Sequence, residues 1–169
     1  MILVITGTHE QPFNRLVQAT DKLAGSKSYG GRIIIQYGYS TYLPQYAEGY
    51  ELIEEGTLKE LAKQAAIIIT HGGPGSVWLA LELHKVPIVV PRMKRFGEHV
   101  DDHQLSFVRH LEAHSRIIAL CNVDQLKQVI SEYEEKSKRC SNPATQAEQN
   151  RRALKENLNY WFGIRARQP

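Results

Sequence analysis

Short runs of β-branched residues alternate with amphipathic stretches along this chain, and this alternation constrains the fold more than any other feature of the sequence. We predict strands at residues 2–6, 32–37, 50–53, 66–70, 87–90 and 117–120, of which 50–53 has the weakest pattern. The Ile and Val runs are continuous, so both faces of these strands should be buried, as in parallel sheets. Helical segments between the strands then predict a doubly wound α/β domain with a parallel sheet.

Amphipathic helices are predicted in the intervals between the strands. Apolar residues at helical spacing indicate helices near residues 13–23, 58–65, 77–83, 101–113, 124–135 and 146–162. In doubly wound sheets ligands bind beyond the carboxyl ends of the strands. The loops at residues 7–13, 71–76 and 91–104 are therefore the expected places for a ligand site.

Length and charge suggest how the chain is organised. A chain of 169 residues favours a single domain with its own core, and we expect that domain over residues 1–140. Residues 141–169 are expected to form a terminal helix and basic tail that pack on the domain or on a partner. The tail carries one acidic residue, Glu156, and the basic residues Arg151, Arg152, Lys155, Arg165 and Arg167. Such a tail can meet a phospholipid surface, an acidic partner or solvent, but no motif beside it predicts nucleic-acid binding.

The cellular compartment is predicted from what the sequence lacks. No segment approaches the ~20 consecutive apolar residues of a membrane span, and residues 2–5 form a first strand rather than a signal peptide. Cys121 and Cys140 are too few for a disulfide framework and have no Cys-x-x-Cys spacing, which favours free thiols in a reducing compartment. We therefore expect a cytoplasmic protein.

The sequence His71-Gly72-Gly73-Pro74-Gly75-Ser76 follows an apolar strand and precedes a helix. Glycines allow the backbone to approach a ligand closely, and the first turn of the helix offers unpaired N–H groups to an anion. An ordinary tight turn remains the alternative. Because Trp78 replaces the third glycine of the dinucleotide fingerprint and no Gly-Lys-Ser/Thr follows, neither a NAD fingerprint nor a Walker loop is present. The Ser76 hydroxyl is expected either to bind a phosphate or to cap the helix.

The loop at residues 91–104 concentrates polar side chains after an apolar strand. On a helix His99, His103, His110 and His114 would share one stripe, which raises the possibility of a metal site. The glutamate of a His-Glu-x-x-His motif is missing and no third ligand is evident, so we expect no metal. Gln104 projects toward the apolar face and needs a partner, either a ligand hydroxyl or a backbone group of a neighbouring loop.

Several motifs in this order resemble a known family over roughly residues 1–130. They are ITGTHEQPFNRL at 5–16, HGGPGS at 71–76, PIVVP at 87–91, FGEHV at 96–100 and DHQ at 102–104. Together they look like the C-terminal, donor-binding half of glycosyltransferase family 28, especially small bacterial exopolysaccharide and capsule subunits that carry only this half. The resemblance implies a Rossmann-like domain, the C-terminal half of a GT-B fold.

The resemblance also implies an activity and a partner. A donor-binding subunit would take a UDP-sugar as substrate and need neither cofactor nor metal. With a membrane-associated acceptor-binding subunit it would form an inverting hexosyltransferase that extends a lipid-linked saccharide in exopolysaccharide or capsule biosynthesis. The partner would recruit this catalytic subunit to the inner face of the membrane. A non-catalytic nucleotide-binding module that regulates a partner is the alternative function. The apolar stripe of Leu154, Leu158, Trp161 and Phe162 could pack on this domain, on the partner or on a bilayer.

The family's binding residues map onto several positions of this sequence. The loop formed by His71, Gly72, Gly73, Pro74, Gly75 and Ser76 would hold the diphosphate, and His103 and Gln104 would lie near sugar or ribose hydroxyls. The substrate-binding set also includes Glu98, together with Thr8 and Gln11, which would line the cleft toward the acceptor half. Beside them His9 would stabilise charge or assist proton transfer. Many relatives have a ribose-binding glutamate where this chain has Ala80, and Glu82 is expected to point elsewhere.

Overall fold

A six-stranded parallel sheet forms the centre of the molecule. The computed structural model describes residues 1–26 and 28–140. The strands are β1 (Ile2–Ile5), β2 (Ile33–Gln36), β3 (Glu48–Tyr50), β4 (Ile67–His71), β5 (Ile88–Val90) and β6 (Ile118–Ala119). Their order is β3-β2-β1-β4-β5-β6, and every pair is parallel. The predicted doubly wound α/β fold is confirmed.

Helices cover both faces of this sheet. They are α1 (Asn14–Gly25), α2 (Glu55–Gln64), α3 (Pro74–Glu82), α4 (His103–Ala113), α5 (Leu126–Ser131) and α6 (Tyr133–Arg139), with 3-10 turns at Lys94–Phe96 and Val123–Gln125. Alternate residues of β1 point to opposite sides, so Ile2 and Val4 pack with α1 and α5 while Leu3 and Ile5 pack with α2 and α3. This two-sided burial explains why the strands lack a polar alternation.

Two elements differ from the sequence prediction. Strand β3 occupies Glu48–Tyr50 rather than 50–53, because this edge strand is held by backbone pairing with β2 and buries little side-chain surface. The segment predicted as one helix at 124–135 is a 3-10 turn followed by α5 and α6, which are separated at Glu132. The predicted helix at 146–162, its apolar stripe and the basic tail lie outside the described residues. Within those residues no helix combines the length and apolar character needed to cross a bilayer.

Asp21 anchors the long connection between β2 and β3. Its side chain is fully buried in α1, and its carboxylate accepts hydrogen bonds from the Tyr42 hydroxyl at 2.7 Å and from the backbone N–H groups of Gln45, Tyr46 and Ala47 at 3.0, 2.8 and 2.9 Å. Burial alone would raise the pKa of Asp21, but these hydrogen bonds outweigh it and the pKa is lowered. The anion therefore stabilises the folded state.

Replacement of this carboxylate should cost stability in a pH-dependent way. We expect Asp21→Asn to lower the free energy of unfolding by about 1–3 kcal/mol at pH 7, since the amide cannot accept all four hydrogen bonds. The folded pKa of Asp21 lies below its unfolded value, so its contribution is present above about pH 4 and is lost as the pH falls through the folded pKa. Urea unfolding of the unmodified chain and of Asp21→Asn at pH 7 and pH 3 measures the loss of stability and its dependence on pH. A stability difference that persists unchanged at pH 3 would contradict this role for the charge.

Candidate functional site

A cleft opens at the point where the strand order reverses, between the carboxyl ends of β1 and β4. Its volume is about 490 Å³. We call it the switch-point cleft, and its walls are formed by Ile5, Gly7, Thr8, Gln36, Glu55, Leu58, Lys59, His71, Gly73, Pro74, Gly75, Ser76, Trp78, Leu79 and Glu82. Ligands of doubly wound proteins bind in this position because the loops after the two central strands diverge there.

A larger groove of about 760 Å³ lies between α1 and the segment around α5. It borders the outer face of α1. No glycine-rich turn lines it, and among its lining residues the only first turn that belongs to a long helix is that of α1. The switch-point cleft instead contains the start of α3 and both central loops. We therefore assign the ligand site to the switch-point cleft despite its smaller volume.

The start of α3 presents backbone donors to this cleft. Strand β4 ends at His71, Gly73 is the N-cap residue, and Pro74 occupies the first turn, where its missing N–H costs no hydrogen bond. The first intrahelical bond runs from the Val77 N–H to the Gly73 carbonyl at 3.3 Å. The N–H groups of Gly75 and Ser76 precede it and have no partner within the helix. Together with the helix dipole they make this end of α3 suited to an anion.

The imidazole of His71 fills the space between the two central loops. Burial, and then the positive charge of Arg92, lower the pKa of His71 to about 3, so the ring is neutral at pH 7. A hydrogen bond with the backbone of Ile5 fixes the ring, and its Nδ1 lies 3.1 Å from the Ser76 hydroxyl. The Ser76 hydroxyl also donates to the Gly73 carbonyl at 3.2 Å rather than accepting from a helix N–H. His71 thus sets the shape of the glycine-rich turn.

Two glycines are required by the position of this ring. A Cβ atom at Gly73 would lie 2.0 Å from His71 Nε2, and one at Gly7 would lie 2.6 Å from His71 Cε1. Gly7 also adopts a φ of +83°, which side chains rarely tolerate. By contrast, a Cβ atom at Gly75 would meet nothing within 4 Å.

Arg92 is a buried cation that the sequence reading missed. It lies two residues after the end of β5, is 1% exposed, and donates to the carbonyl oxygens of Thr6, Gln11 and Glu98 at 2.8, 2.6 and 3.1 Å. Burial lowers the pKa of Arg92 to about 10, which still leaves it charged at pH 7. The guanidinium group therefore ties the loop after β1 to the loop after β5. The only signal in the sequence is an arginine at the carboxyl end of an apolar strand.

Glu98 and Gln104 support this connection. The carboxylate of Glu98 is buried, forms two 2.9 Å bonds with Arg15, and accepts the Met93 N–H at 3.0 Å. The Gln104 side-chain oxygen accepts the Arg92 backbone N–H at 3.1 Å. Both side chains were predicted to bind substrate. In the structure they hold the loop after β5 in place, and their contact with substrate stays a prediction.

His9, His99, Asp101 and His103 form a second group, which we call the imidazole cluster. The ring centroids of His9 and His103 each lie 4.6 Å from that of His99. Burial lowers the pKa of His99, and the backbone hydrogen bond from His103 is the main reason that the pKa of Asp101 is lowered. The four histidines do not share one helical stripe, because His99 precedes α4.

The predicted site residues thus divide between two neighbouring places. The switch-point cleft is lined by Thr8, His71, Gly73, Pro74, Gly75 and Ser76. The loops held by Arg92 carry His9, Gln11 and Glu98, and the first turn of α4 beside them carries His103 and Gln104. Between them lies Gly72, where a Cβ atom would stand 3.0 Å from the Gln104 side chain.

Sequence reasoning missed several residues of the cleft wall. Gln36 is 3% exposed and its side-chain oxygen has no protein partner, while Lys59 brings a positive charge from α2. Glu82 lines the cleft with Trp78, whereas Ala80 is buried in the core, so Glu82 does not take the direction of position 80. Only helical spacing from Gly75, which lies three residues before Trp78 and seven before Glu82, could have indicated these α3 positions.

The chain belongs to a known family. It matches the glycosyltransferase family 28 C-terminal domain over residues 1–158. This assignment, together with the fold, makes it a glycosyltransferase donor-binding domain of the GT-B type. A search of the curated proteins finds no match.

Solved structures share this fold. The glycotransferase of kitacinnamycin superposes with a TM-score of 0.61 at 15% identity, over 83% of this chain and 37% of that protein. CalG4, the calicheamicin glycosyltransferase, gives 0.58 at 14% identity, over 96% and 43%. ALG13, determined by NMR, gives 0.54 at 15% identity, over 80% and 85%. At these identities the likeness concerns the fold alone. The chain spans less than half the length of the first two transferases.

Two glycine substitutions at the start of α3 test the packing of His71. We expect Gly73→Ala to destabilise the protein by about 1–3 kcal/mol, because the new methyl group overlaps the His71 ring. Gly75→Ala is the matched control and should fold at least as stably as the unmodified chain, since its Cβ atom enters open space. Urea unfolding measures the free energy of unfolding of both variants and of the unmodified chain. Equal stability of the two variants would rule out the described ring position.

The neutral state of His71 predicts a pH dependence of stability. Its folded pKa of about 3 lies below the unfolded value of about 6.5, so in that interval only the unfolded chain binds the proton. Stability should therefore fall as the pH drops below about 6.5, by at most about 1.4 kcal/mol per pH unit from this group. Urea unfolding of the unmodified chain and His71→Asn between pH 7 and pH 5 isolates this contribution. Parallel pH profiles for the two proteins would contradict it.

Proposed function

We propose that the chain is the donor-binding, catalytic subunit of an inverting hexosyltransferase that uses a UDP-sugar. The observation that carries the proposal is the start of α3, which faces the switch-point cleft with unpaired backbone N–H groups. Anions bind such helix ends, and a nucleotide diphosphate is the anion that a donor-binding domain of this family would receive.

The reaction requires above all that the leaving diphosphate be stabilised. Transfer of the sugar leaves negative charge on the diphosphate, and donors that are already oriented stabilise that charge without reorganisation. Here Gly75 and Ser76 supply backbone N–H groups, and Lys59 adds a positive charge from the facing wall. These donors support transfer that needs no metal ion and no cofactor. His9 is proposed to stabilise charge or assist proton transfer on the acceptor side.

A partner subunit would complete the enzyme. The chain corresponds to 37% and 43% of the length of two full transferases, but to 85% of ALG13. Large exposed apolar side chains surround the carboxyl edge of the sheet: Tyr39 follows β2, Leu52 follows β3, and Phe96 and Val100 follow β5. Contiguous exposed apolar patches mark interaction surfaces, and all four side chains lie in segments that leave this edge of the sheet. We propose that an acceptor-binding subunit covers this edge.

The biological setting follows from the motifs described in the sequence. We propose that the partner is associated with the membrane and binds a lipid-linked saccharide, and that the pair acts in exopolysaccharide or capsule synthesis. The cytoplasmic subunit would then be recruited to the inner face of the membrane by its partner. The proposal is supported by the five motifs at 5–16, 71–76, 87–91, 96–100 and 102–104, whose combination resembles small bacterial exopolysaccharide and capsule subunits.

Ligand-dependent stabilisation of the purified chain tests the donor site. A ligand that binds the native state raises the melting temperature by mass action, so UDP and UDP-sugars should raise it, and NAD and ATP should not. We expect Ser76→Ala and Lys59→Ala each to weaken UDP binding by about threefold to tenfold. Lys63→Ala, on the same helix but paired with Glu60, is the control and should bind normally.

Each outcome of this titration decides between functions. Stabilisation by NAD or ATP instead of UDP would contradict the transferase proposal and favour a regulatory nucleotide-binding module. Selective stabilisation by UDP compounds that Ser76→Ala and Lys59→Ala leave unchanged would place the donor outside the switch-point cleft. With the partner subunit added, Ser76→Ala should slow sugar transfer while the complex still assembles.

A further inference from the structure

The imidazole cluster brings together three groups that commonly bind metal ions. His99 Nδ1 lies 3.3 Å from Asp101 Oδ1, and His103 Nδ1 contacts the same carboxylate oxygen. One ligand atom from each of these residues lies within 4.8 Å of the others. We propose that His99, Asp101 and His103 form a binding site for a zinc-class divalent cation, separate from the switch-point cleft.

The spacing of the ligand atoms suits a small tetrahedral site. Zinc bonds to imidazole nitrogen and carboxylate oxygen are about 2.0–2.2 Å long, which places neighbouring ligand atoms of a tetrahedron roughly 3.3 Å apart. The separation of His99 and Asp101 already has this value. The His103 ring has only to move back from the Asp101 carboxylate, on a side chain that is 31% exposed. Binding therefore requires that the His103 side chain shift and that the ion replace the hydrogen bond that the Asp101 N–H donates to His99 Nδ1 at 3.4 Å.

The loop that carries the ligands is fixed by its own contacts. Gly97 turns the chain with a φ of +68°, the Lys94 N–H donates to Asp102 Oδ1 at 2.9 Å, and the His103 N–H donates to Asp101 Oδ1 at 3.1 Å. The His99 ring is packed between the rings of His9 and His103. Ligands held in this way lose little conformational freedom when an ion binds.

The proposed ligand residues differ in how much of their side chains is exposed to solvent. The His99 side chain is 8% exposed, whereas that of Asp101 is 55% exposed. An ion would thus have a buried ligand behind it and solvent in front, where water or another oxygen can complete the coordination. Sites with three protein ligands and one exchangeable position have this arrangement.

The types of ligand atom determine which cations the site would bind. Two imidazoles and one carboxylate suit Zn²⁺ and its relatives Co²⁺ and Ni²⁺, whereas Mg²⁺ and Ca²⁺ prefer sites made of oxygen ligands. The sequence argument against a metal rested on the missing glutamate of a His-Glu-x-x-His motif and on the absence of an evident third ligand. Asp101 supplies that ligand, because the turn before α4 brings it back against both histidines. The proposed role is to fix the loop after β5.

Cobalt and zinc titrations of the full chain, after treatment with a chelator, test the site. We expect one equivalent of Co²⁺ to bind with the visible absorption of a four- or five-coordinate ion, and Zn²⁺ to displace it. Asp101→Asn and His103→Ala, both at partly exposed positions, should weaken binding at least tenfold while the proteins remain folded. Zn²⁺ should raise the melting temperature of the unmodified chain but not of these variants.

The second histidine pair of α4 provides the matched control. His110 and His114 have ring centroids 4.4 Å apart, and the variant that replaces both with Ala should bind Co²⁺ as the unmodified chain does. Loss of binding in this control but not in Asp101→Asn would overturn the proposal. A thiolate-to-cobalt absorption band would assign the ion to Cys121 or Cys140 and also overturn it, as would the absence of stoichiometric binding. These readouts contain no nucleotide, so their failure is distinct from a failure of the donor site.

Discussion

The buried guanidinium group of Arg92 determines how the functional end of this molecule is arranged. It bonds to carbonyl oxygens of Thr6 and Gln11 in the loop after β1, and of Glu98 in the loop after β5. A buried cation is costly unless such acceptors surround it, so the loops and the charge stabilise one another. The Glu98 carboxylate is in turn bound to Arg15 at the start of α1. The relative position of β1, β5 and α1 at this end of the sheet thus depends on one ionic network.

This network separates two chemical environments. On one side lies the switch-point cleft, where His71 is neutral and the start of α3 presents backbone donors. On the other side lies the imidazole cluster, whose ligand groups are held by the loop after β5. Gly72 connects them, since it packs against Gln104. One domain can therefore hold an anionic ligand and, by our proposal, a cation in neighbouring sites.

The sequence predicted what depends on local patterns. Continuous Ile and Val runs indicated the buried strands, and the order of strands and helices indicated the doubly wound sheet. Strand β3 was misplaced because an edge strand buries too few side chains to leave a hydrophobic pattern. The contacts of Arg92 could not be predicted from the sequence, because its partners Thr6 and Gln11 lie 86 and 81 residues away in the chain. For the same reason, the predicted site residues could not be divided between the cleft and the imidazole cluster before the fold was known.

The central claim is that the start of α3 in the switch-point cleft binds the diphosphate of the donor. A crystal structure of the chain with UDP tests it most directly. The account predicts phosphate oxygens within hydrogen-bond distance of the backbone N–H groups of Gly75 and Ser76, with Lys59 nearby. A diphosphate bound instead in the groove between α1 and α5, or at the imidazole cluster, would contradict it.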